Sequence, residues 1–323
     1  MRVLITGGAG FIGTNLTRYW AVQHPSDDLV VLDKLTYAGR SDSLRDLIDS
    51  HRIRLIVGDV ADPNLVEPLV RQSDVVLHLA AESAVDRSIE GSRPFVMTNV
   101  LGTQTLLDAA RKADLRRFHH VSTDEVFGSL GLGGTDRFSP TSPYSPRNPY
   151  AATKAGSDHL VYSYFHTYGL KVTVSYCGNN YGPYQHPEKL IPRVITYALS
   201  GKRIPVYGQG RNVRDWIFVR DHCTALDRIV ASGRPGERYM VGADSPFENL
   251  EIIRMILKLL GAPEDSIDFA PDRPGHDARY AIDASKLRSE LGWSPQVDIR
   301  RGLRETVEWY QANRGWWESL QTS

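Results

Sequence analysis

The stretch RVLITGGAGFIG, at residues 2–13, joins a short apolar run to a glycine-rich loop. Its glycines satisfy two overlapping spacings, GxGxxG at Gly8, Gly10 and Gly13 and GxxGxxG at Gly7, Gly10 and Gly13. Glycines at these spacings permit a tight turn from a strand into a helix and a close approach of phosphate to the helix N-terminus. Because the loop follows one apolar run and opens a helical stretch, it predicts a dinucleotide-binding unit.

Apolar runs like this first one recur along the chain, at residues 2–6, 29–33, 54–59, 75–80, 118–123 and 171–176. They are continuous rather than alternating, which is typical of strands covered on both faces. Helical stretches lie between most of them. In the stretch 93–112, helical spacing places four apolar residues on one face: Val96, Val100, Leu107 and Ala110. Strand and helix in repeated alternation predict an α/β fold with a doubly wound, parallel Rossmann sheet.

The alternation weakens after residue 176, where prolines and glycines become dense. We therefore expect residues 1–176 to form the dinucleotide-binding Rossmann domain, with a returning segment near 213–232. Residues 177–323 are expected to form mainly a smaller α/β, substrate-binding portion. Within it, NLEIIRMILKLLG predicts a helix that ends at Gly261, and GLRETVEWYQAN predicts another at 302–313.

Composition and charge exclude several classes of function. The chain has 323 residues, and its 38 Lys and Arg balance 38 Asp and Glu, so the basic excess typical of nucleic-acid binding is missing. No apolar run reaches the ~18 residues of a membrane span, and the first residues do not read as a signal peptide. We therefore expect a cytoplasmic protein with neither nucleic acid nor membrane as a partner.

Cysteine and histidine positions do not suggest a metal site. Cys177 and Cys223 form no CxxC pair and no zinc spacing with histidine, so we interpret them as buried thiols. His78, His119 and His120 fall within predicted strands, and we interpret them as core or edge residues rather than ligands. The sequence therefore predicts that the protein binds no metal ion.

Two acids follow predicted strands next to the glycine loop. Asp33 ends the second strand, where a carboxylate can accept hydrogen bonds from both ribose hydroxyls of adenosine and repel a 2′-phosphate. NAD is therefore favoured over NADP, although the cation of Lys34 beside it weakens that preference. Asp59 ends the third strand and either contacts the adenine amino group or serves only as a turn residue.

The stretch NPYAATKAGSDHL contains YxxxK at Tyr150 and Lys154. If a helix begins near Asn148 and Pro149, the four-residue spacing places both side chains on one face. An ammonium close to the phenol, together with oxidised nicotinamide, favours the phenolate, which can then remove a hydroxyl proton while hydride leaves the same carbon. YxxxK alone also occurs by chance as a surface pair; here it follows the glycine loop and the strand-end acid in order.

The stretch VSTDEVFG, residues 121–128, places Asp124 and Glu125 side by side at the end of a predicted buried strand. Successive strand residues point to opposite faces, so both carboxyls can reach one ligand only if the strand has already ended. We therefore predict that both acids lie beyond the last ladder pair, with Thr123 as the last strand residue. The alternative is an acid cluster at a helix N-terminus, although VFGSLGLGG is a poor helix.

The ordered motifs resemble the extended short-chain dehydrogenase/reductase family over nearly the whole chain. Within it, seven stretches are similar to the dTDP-glucose 4,6-dehydratases: DKLTYAG (33–39), HLAAES (78–83), VDRSI (85–89), STDEVFG (122–128), NNYGPYQHPEKLIP (179–192), NVRDW (212–216) and DRPGHDARYAID (272–283). Two departures occur within them. Gly178 stands where the family usually carries a small polar or thiol residue, and Phe127 stands where Tyr is common.

The resemblance implies a sequence of three steps on a nucleotide-linked glucose. Hydride leaves sugar C4 for NAD, water leaves across C5 and C6, and hydride returns to C6. The ketone at C4 acidifies the C5 proton, so the elimination requires one base and one acid. By similarity, Glu125 is the base and Asp124 is the acid, which requires a raised pKa for Asp124. Thr123 is implied to hydrogen-bond the C4 oxygen beside Tyr150.

The resemblance also implies two sets of binding residues. The NAD set comprises Gly7, Gly10, Phe11, Ile12, Gly13, Asp33, Lys34, Leu35, Thr36, Asp59, Val60, Leu79, Ala80, Ala81, Ser83, Thr98, Tyr150, Lys154 and Asn180. The nucleotide-sugar set comprises Ser83, Thr123, Asn179, Glu188, Lys189, Leu190, Pro205, Tyr207, Arg214, Asn249, Arg273 and His276. Arg214 and Arg273 are chosen because guanidinium forks bind phosphate oxygens. The resemblance favours dTDP-glucose as the substrate, although the sequence itself does not distinguish thymine from uracil as the base.

The resemblance further implies a homodimer in which helices at about 93–112 and 150–168 pair across a two-fold axis as a four-helix bundle. Two alternative functions stay open. A 4-epimerase or decarboxylase of the same superfamily would keep Tyr150 and Lys154 but would not need the acid pair. A non-catalytic NAD-binding partner protein would be expected to lack Tyr150 or Lys154, and both are present.

Overall fold

The computed structural model describes residues 1–272 and 275–321. Strands of its first half are β1 Arg2–Thr6, β2 Asp28–Asp33, β3 Ile53–Val57, β4 Val75–His78, β5 Arg117–Thr123 and β6 Val172–Cys177. The helices between them are α1 Phe11–Gln23, α2 Arg45–Asp49, α3 Pro63–Arg71, α4 Val85–Glu90, α5 Arg93–Phe95, α6 Thr103–Arg111 and α7 Pro149–Tyr168. Each predicted apolar run therefore forms a strand, with ends that differ by at most two residues.

The second half continues with shorter strands and longer helices. Its strands are β7 Asn179–Tyr181, β8 Ile204–Tyr207, β9 Val213–Phe218, β10 Arg238–Val241, β11 Pro246–Glu248 and β12 Ile267–Ala270. Its helices are α8 Leu190–Leu199, α9 Val219–Ser232, α10 Asn249–Leu260, α11 Ser285–Leu291, α12 Ile299–Ala312 and α13 Arg314–Gln321. Helix α10 ends as predicted, at Gly261 in the left-handed conformation, whereas α12 begins three residues before the predicted start.

Seven strands of the described chain form one parallel sheet in the order β10-β6-β5-β4-β1-β2-β3. The strand order reverses between β1 and β4, and a doubly wound sheet binds ligands at the carboxyl ends of the strands beside such a reversal. Smaller sheets, β11-β9-β7 and β12-β8, come from the second half. The predicted α/β Rossmann fold is confirmed.

The core follows the sheet and its two layers of helices. Apolar side chains of the central strands, such as Leu4, Val76 and Phe118, are fully buried. A separate apolar cluster in the second half joins α8, α10 and α12 around β8 and β9. None of the helices in the described residues is long and apolar enough to cross a membrane.

The sheet recruits one strand from the second half of the chain. Strand β10 pairs with β6 in parallel, and helix α9 leads into it along the sheet. The returning segment expected near 213–232 stays a prediction, because α9 leads back to the large sheet but β9 belongs to the β11-β9-β7 sheet. The division of the chain near residue 176 stays a prediction.

The stretch 93–112 departs from a regular helix. A π-helical turn at Val96–Gly102 joins α5 to α6. A π turn holds more residues than an α turn, so it rotates the side chains that follow relative to those before. Leu107 and Ala110 are fully buried, but Val96 is 46% exposed. The prediction that these apolar residues share one face is therefore wrong for Val96.

The glycine loop shows which of its glycines the fold requires. Gly7 has a φ of +69°, and a Cβ there would lie 2.6 Å from the Ala80 nitrogen. A Cβ on Gly13 would lie 2.0 Å from the Gly7 oxygen, so glycine allows α1 to pack on the turn. A Cβ on Gly10 would meet only the Gly7 oxygen, at 3.4 Å. The fold therefore explains Gly7 and Gly13, and a ligand explains Gly10 better.

We expect Gly13→Ala and Gly10→Ala to separate folding from cofactor binding. Gly13→Ala should lower the free energy of unfolding by about 1–3 kcal/mol because its methyl group overlaps backbone. Gly10→Ala should change that free energy by less than about 0.5 kcal/mol and weaken NAD binding about tenfold, which is ~1.4 kcal/mol. Urea unfolding and calorimetric NAD titration measure the two effects.

Gly315→Ala is the control for these substitutions, because a Cβ at Gly315 meets no atom within 4 Å. The interpretation of Gly10 fails if Gly10→Ala binds NAD like the unaltered protein. It also fails if Gly10→Ala unfolds as easily as Gly13→Ala.

Candidate active site

A cleft opens at the carboxyl ends of β1, β2, β4 and β5, beside the reversal in strand order. It is lined by the glycine loop, by residues that follow these strands, and by Tyr150 and Lys154 of α7. All predicted NAD-set residues line it except Leu35. The sheet has brought together residues that lie more than a hundred positions apart, because parallel strands end at a common edge.

Asp33 is held at this edge by main-chain donors. Its carboxylate accepts hydrogen bonds from the Ala9 nitrogen at 2.9 Å and from the Leu35 nitrogen at 2.8 Å. Burial raises the pKa of Asp33, and these hydrogen bonds oppose that rise. Leu35 therefore contributes its backbone to the acid that faces the cleft, even though its side chain does not line it.

Lys34 and Asp59 pair with each other across the same edge. The Lys34 Nζ atom donates to Asp59 at 2.7 Å, and the Ala61 nitrogen donates to the other carboxylate oxygen at 2.9 Å. The Asp59 charge therefore offsets the Lys34 charge, which removes the reason to expect that Lys34 attracts a 2′-phosphate. Adenine contact by Asp59 stays a prediction.

Strand β5 ends immediately before Asp124 and Glu125. Thr123 is the last residue in the ladder, paired with Cys177 of β6. Residues Asp124–Phe127 then form a single 3-10 turn, capped by the Thr123 hydroxyl, which accepts from the Glu125 nitrogen at 3.3 Å. The prediction that both acids lie beyond the strand is confirmed, and both line the cleft. The alternative, an acid cluster at a helix N-terminus, also describes the local backbone, because the two acids begin this short helical turn.

The two acids occupy different environments. Asp124 is 2% exposed, and burial followed by the charge of Glu125 raises its pKa well above the usual range, whereas the nearby Arg214 charge opposes the rise. Glu125 is more exposed and accepts a hydrogen bond from the Asn148 side chain at 3.2 Å. The raised pKa predicted for Asp124 agrees with this geometry, and a carboxyl with a raised pKa can hold the proton that a general acid needs.

Helix α7 presents Tyr150 and Lys154 on one face, as their spacing predicts. Asn148 caps the helix by accepting from the Ala151 nitrogen at 2.8 Å, and Pro149 occupies its first turn. The same Asn148 side chain bonds Glu125. One residue therefore fixes the start of the tyrosine helix against the acid pair.

The charges of Tyr150 and Lys154 depend mainly on burial. Burial lowers the pKa of Lys154 to about 8, and its ammonium donates to the Val121 carbonyl at 2.8 Å. Burial and the charge of Glu125 raise the pKa of Tyr150, and a hydrogen bond with Thr123 opposes that rise. Lys154 is not among the principal causes, so its effect on Tyr150 stays a prediction.

The π-helical turn also positions part of the cleft. Asn99 in this turn is buried; its side chain accepts from the Glu82 nitrogen at 2.8 Å and donates to the Thr153 hydroxyl at 2.9 Å. This bridge holds the segment after β4 against α7. Thr98, from the same turn, lines the cleft as predicted.

The predicted nucleotide-sugar residues divide into two groups. Ser83, Thr123, Asn179, Glu188 and Lys189 line the cleft. Six others do not line it: Leu190, Pro205, Tyr207, Arg214, Asn249 and His276. The proposed phosphate ligand Arg273 lies outside the described residues.

The second group gathers around β8, β9 and the chain after β12. The ring of Tyr207 meets that of His276 edge to face at 6.3 Å. The Arg214 guanidinium donates to the Val213 and Asp277 carbonyls at 2.8 and 2.9 Å. Its donors therefore serve main-chain oxygens, and phosphate binding by Arg214 stays a prediction.

A polar bridge that the motifs did not single out crosses the mouth of the cleft. The Tyr37 hydroxyl donates to Glu188 at 3.0 Å, and the Arg87 guanidinium lies 3.5 Å over the Tyr37 ring. The Lys189 ammonium donates to the Ser83 carbonyl at 3.2 Å. Tyr37 and Arg87 lie in the stretches DKLTYAG and VDRSI, and the resemblance of these stretches to the dehydratases could have identified both residues.

Other cleft residues also escaped prediction. They include Glu82, Cys177, Gly178, Gln185 and His186. Cys177 gave no signal because an isolated buried thiol is usually part of a core. Burial raises the pKa of its thiol to about 12. Gly178 is explained by space, since a Cβ there would lie 2.6 Å from the Asp215 oxygen.

The three histidines of the sheet are core residues, as interpreted from the sequence. The His78 ring bonds the Thr6 hydroxyl at 2.7 Å and the Thr103 hydroxyl at 2.9 Å. Burial holds the pKa values of His78, His119 and His120 well below the usual range. Across residues 1–272 and 275–321, His, Cys, Asp and Glu side chains form no group that could hold a metal ion.

Comparison with known proteins agrees with this geometry. The dTDP-glucose 4,6-dehydratase of Mycobacterium tuberculosis is 50% identical over 322 residues, which cover 99% of this chain and 96% of that protein. The crystal structure of dTDP-glucose 4,6-dehydratase from Streptomyces venezuelae, which holds NAD, matches with a TM-score of 0.96 at 48% identity, covering 99% of this chain and 100% of that one.

A relative with different chemistry is more distant. The NAD complex of UDP-glucose 4-epimerase from Thermus thermophilus matches with a TM-score of 0.88 at 30% identity, covering 97% of this chain and 100% of that one. The resemblance to the dTDP-glucose 4,6-dehydratases that the motifs indicated is therefore confirmed. A family model described as GDP-mannose 4,6 dehydratase matches residues 4–306, and the chain belongs to that family.

Proposed function

We propose that this protein is an NAD-dependent lyase that removes water from dTDP-glucose and forms the 4-keto-6-deoxy sugar. The observation that carries the proposal is the placement of Asp124 and Glu125 in the same cleft as Tyr150, beyond the end of β5. An oxidising tyrosine together with an acid–base pair is what oxidation followed by water loss requires.

The residues of the cleft fit NAD as the cofactor. The turn at Gly10 leaves room for pyrophosphate at the N-terminus of α1, and Asp33 stands at the ribose position of the βαβ unit. The Streptomyces venezuelae relative holds NAD in its crystal structure. When bound, NAD supplies a hydride acceptor that becomes a hydride donor later in the same cycle.

Tyr150 and Thr123 act on the C4 hydroxyl of the sugar. The Tyr150 oxygen takes the hydroxyl proton as C4 becomes a ketone, and the Thr123 hydroxyl donates a hydrogen bond to the C4 oxygen. Both side chains line the same cleft. The buried ammonium of Lys154, one turn along α7, supplies positive charge that favours the phenolate form.

Glu125 and Asp124 carry out the elimination. The C4 ketone acidifies the C5 hydrogen, the Glu125 carboxylate takes that proton, and the C5–C6 double bond forms as the C6 hydroxyl leaves. Asp124 gives that hydroxyl its proton, so that water departs. Because the pKa of Asp124 is raised, its carboxyl keeps the proton as pH rises through the range in which an ordinary aspartate ionises. Hydride at C6 and the proton held by Glu125 at C5 complete the product.

The 4-epimerase reading is weaker for two reasons. An epimerase returns hydride to C4 and does not need an acid–base pair for water loss. The epimerase from Thermus thermophilus is 30% identical to this chain, whereas the dehydratases from Streptomyces venezuelae and Mycobacterium tuberculosis are 48% and 50% identical. A non-catalytic role is not favoured, because Tyr150 and Lys154 both stand in the cleft.

We assign sugar and diphosphate binding to the two groups of nucleotide-sugar residues described above. Lys189 and Asn179 contact the cleft from the second half of the chain. Tyr207 and His276 offer flat rings to the nucleotide base. The choice between thymine and uracil is decided by assay.

Incubation with dTDP-glucose, UDP-glucose and GDP-mannose in separate reactions tests the overall proposal. We expect a 4-keto-6-deoxy sugar from dTDP-glucose at the highest kcat/KM, measured by chromatography and NMR of the product. Formation of the 4-epimer instead would support the epimerase reading. No product from any of the three sugars would refute the dehydratase proposal.

Tyr150→Phe should lower the rate of nicotinamide reduction about 10²–10⁴-fold, because it removes the group that takes the C4 hydroxyl proton. Stopped-flow absorbance of the reduced cofactor measures this step. The matched control is Tyr162→Phe, which makes the same change at another buried tyrosine of α7. A similar loss in both variants would point to disturbance of the helix rather than to proton removal.

Glu125→Gln and Asp124→Asn should stop water loss at different points. In deuterated water, Asp124→Asn should still exchange the C5 hydrogen of dTDP-glucose, because Glu125 remains as the base. Glu125→Gln should reduce the cofactor but leave C5 unexchanged. NMR of recovered substrate measures the exchange, and the opposite pattern would reverse the two roles.

We also infer that the protein is a cytoplasmic homodimer. The inference of a dimer is supported by exposed apolar side chains in the π-helical turn: Val96, Met97 and Leu101 are 46%, 43% and 38% exposed. These residues lie in the segment 93–112, one of the two expected to form a four-helix bundle. Cys177 and Cys223, both buried free thiols, are compatible with a reducing compartment.

Met97→Glu should convert the dimer into monomers because it places a charge in the proposed apolar interface. Light scattering should give about twice the chain mass of 36.2 kDa for the unaltered protein and about that mass for the variant. Leu132→Glu, at a 55% exposed site outside the segment, is the control. A monomeric unaltered protein would contradict the inference.

A further inference from the structure

Asp158 is a fully buried acid that the mechanism above does not use. It follows Lys154 by four residues on α7, as Lys154 follows Tyr150. Side chains four residues apart on a helix lie on the same face. Tyr150, Lys154 and Asp158 therefore form one line that runs from the cleft into the core.

Burial raises the pKa of Asp158 to about 7, and the charge of Lys154 is the largest influence that opposes this rise. Its Oδ2 atom accepts from the Ser122 hydroxyl at 2.9 Å and from the Tyr144 hydroxyl at 3.3 Å. Its Oδ1 atom lies 3.1 Å from His120 Nε2. The hydroxyl donors on Oδ2 lower the pKa of Asp158 and so oppose the effect of burial.

His120 stands between Asp158 and Lys154. Its Nε2 atom is 3.1 Å from the Asp158 carboxylate and 3.5 Å from the Lys154 ammonium. Burial, followed by the charge of Lys154, keeps the pKa of His120 well below its usual value. A neutral imidazole cannot balance a charge on Asp158, and Lys154 is the cation with the largest effect on the pKa of that carboxyl.

Other titratable groups face Asp158 from each neighbouring element. They are His120 of β5, Tyr144 of the segment before α7, Lys154 and Tyr162 of α7, Tyr176 of β6 and Arg238 of β10. The phenols are neutral at physiological pH because burial raises their pKa values. The Arg238 guanidinium lies over the rings of Tyr144 and Tyr162, at 5.4 and 4.2 Å, so it also makes cation–π interactions with those rings.

We propose that Asp158 is the counter-ion that keeps Lys154 positively charged and that, through Lys154, it prepares Tyr150 to take the C4 hydroxyl proton. Asp158 touches neither the cleft nor a reacting atom, so it is a positioning residue. A buried ion pair contributes little to stability compared with apolar packing. Stability therefore does not explain why Asp158 and Lys154 are buried together, whereas the need for a charged Lys154 does. The part played by Tyr150 rests on the proposed function.

The direction of the effect follows from the two opposing influences on Lys154. Burial lowers its pKa, and the charge of Asp158 raises it. Removing the Asp158 charge removes the largest influence that raises the pKa of Lys154 against the effect of burial. Lys154 should therefore lose its proton at lower pH. The phenolate of Tyr150 should then lose its electrostatic support at that same lower pH.

Asp158→Asn tests the counter-ion directly. The protein carries few lysines, so ¹³Cε-lysine labelling and NMR can follow the titration of Lys154, assigned through the signal lost in Lys154→Arg. We expect the Lys154 midpoint to fall by about one pH unit in Asp158→Asn, as for loss of an opposite charge nearby. Ser157→Ala, at the adjacent and equally buried position, should leave it unchanged.

The pH dependence of nicotinamide reduction tests the link to Tyr150. The alkaline limb of this profile should move to lower pH in Asp158→Asn by the same amount as the Lys154 midpoint. Tyr144→Phe removes one hydrogen bond to the carboxylate but keeps its charge, so it should cause a smaller shift in the same direction. If Asp158→Asn does not fold, Tyr144→Phe carries the test.

An unchanged Lys154 midpoint overturns the proposal, as does a loss of rate that is equal at all pH values. If the Lys154 midpoint falls in Asp158→Asn but the unaltered protein does not convert dTDP-glucose, the counter-ion role of Asp158 is supported and the proposed function is refuted. The two conclusions can therefore fail separately.

Discussion

The cost of burying charge governs the organisation of this site. Asp124, Tyr150 and Lys154 are each less than 10% exposed, and burial favours the neutral form of all three. Which of them carries charge then depends on the few groups that touch it. Glu125 discourages a second negative charge on Asp124, while Asp158 supports the positive charge on Lys154. The charge of Glu125 thereby adds to burial in keeping a proton on Asp124, and the proposed water elimination requires that proton.

The fold meets this constraint by bringing two local geometries together. Strand β5 ends at Thr123, so the chain can turn and direct both acids into one cleft. Helix α7 starts at the Asn148 cap, and the Asn148 side chain also bonds Glu125. The Asn148 side chain therefore links the start of the helix to the acid pair that follows the strand.

Local features of the fold were largely predictable. Continuous apolar runs located β1 to β6, and the residues Asn148, Pro149 and Gly261 marked helix ends, because such signals depend on neighbours in sequence. The short run at Arg238–Val241 gave no comparable signal, and it forms a strand by pairing with the edge of β6. The π-helical turn at Val96–Gly102 was also missed, since it is held by contacts of Asn99 with Glu82 and Thr153.

The sequence alone determined the order of the chemical groups: a glycine loop, a strand-end acid, an adjacent acid pair, and a tyrosine and lysine one helical turn apart. Those properties rest on spacing and on secondary structure, which short-range sterics and hydrogen bonds set. Only the tertiary structure decided the charge of each group, the pairing of Lys34 with Asp59 and the position of Asp158 near Lys154. Desolvation and Coulomb interactions depend on distance in space, and packing brings together groups that are remote in sequence.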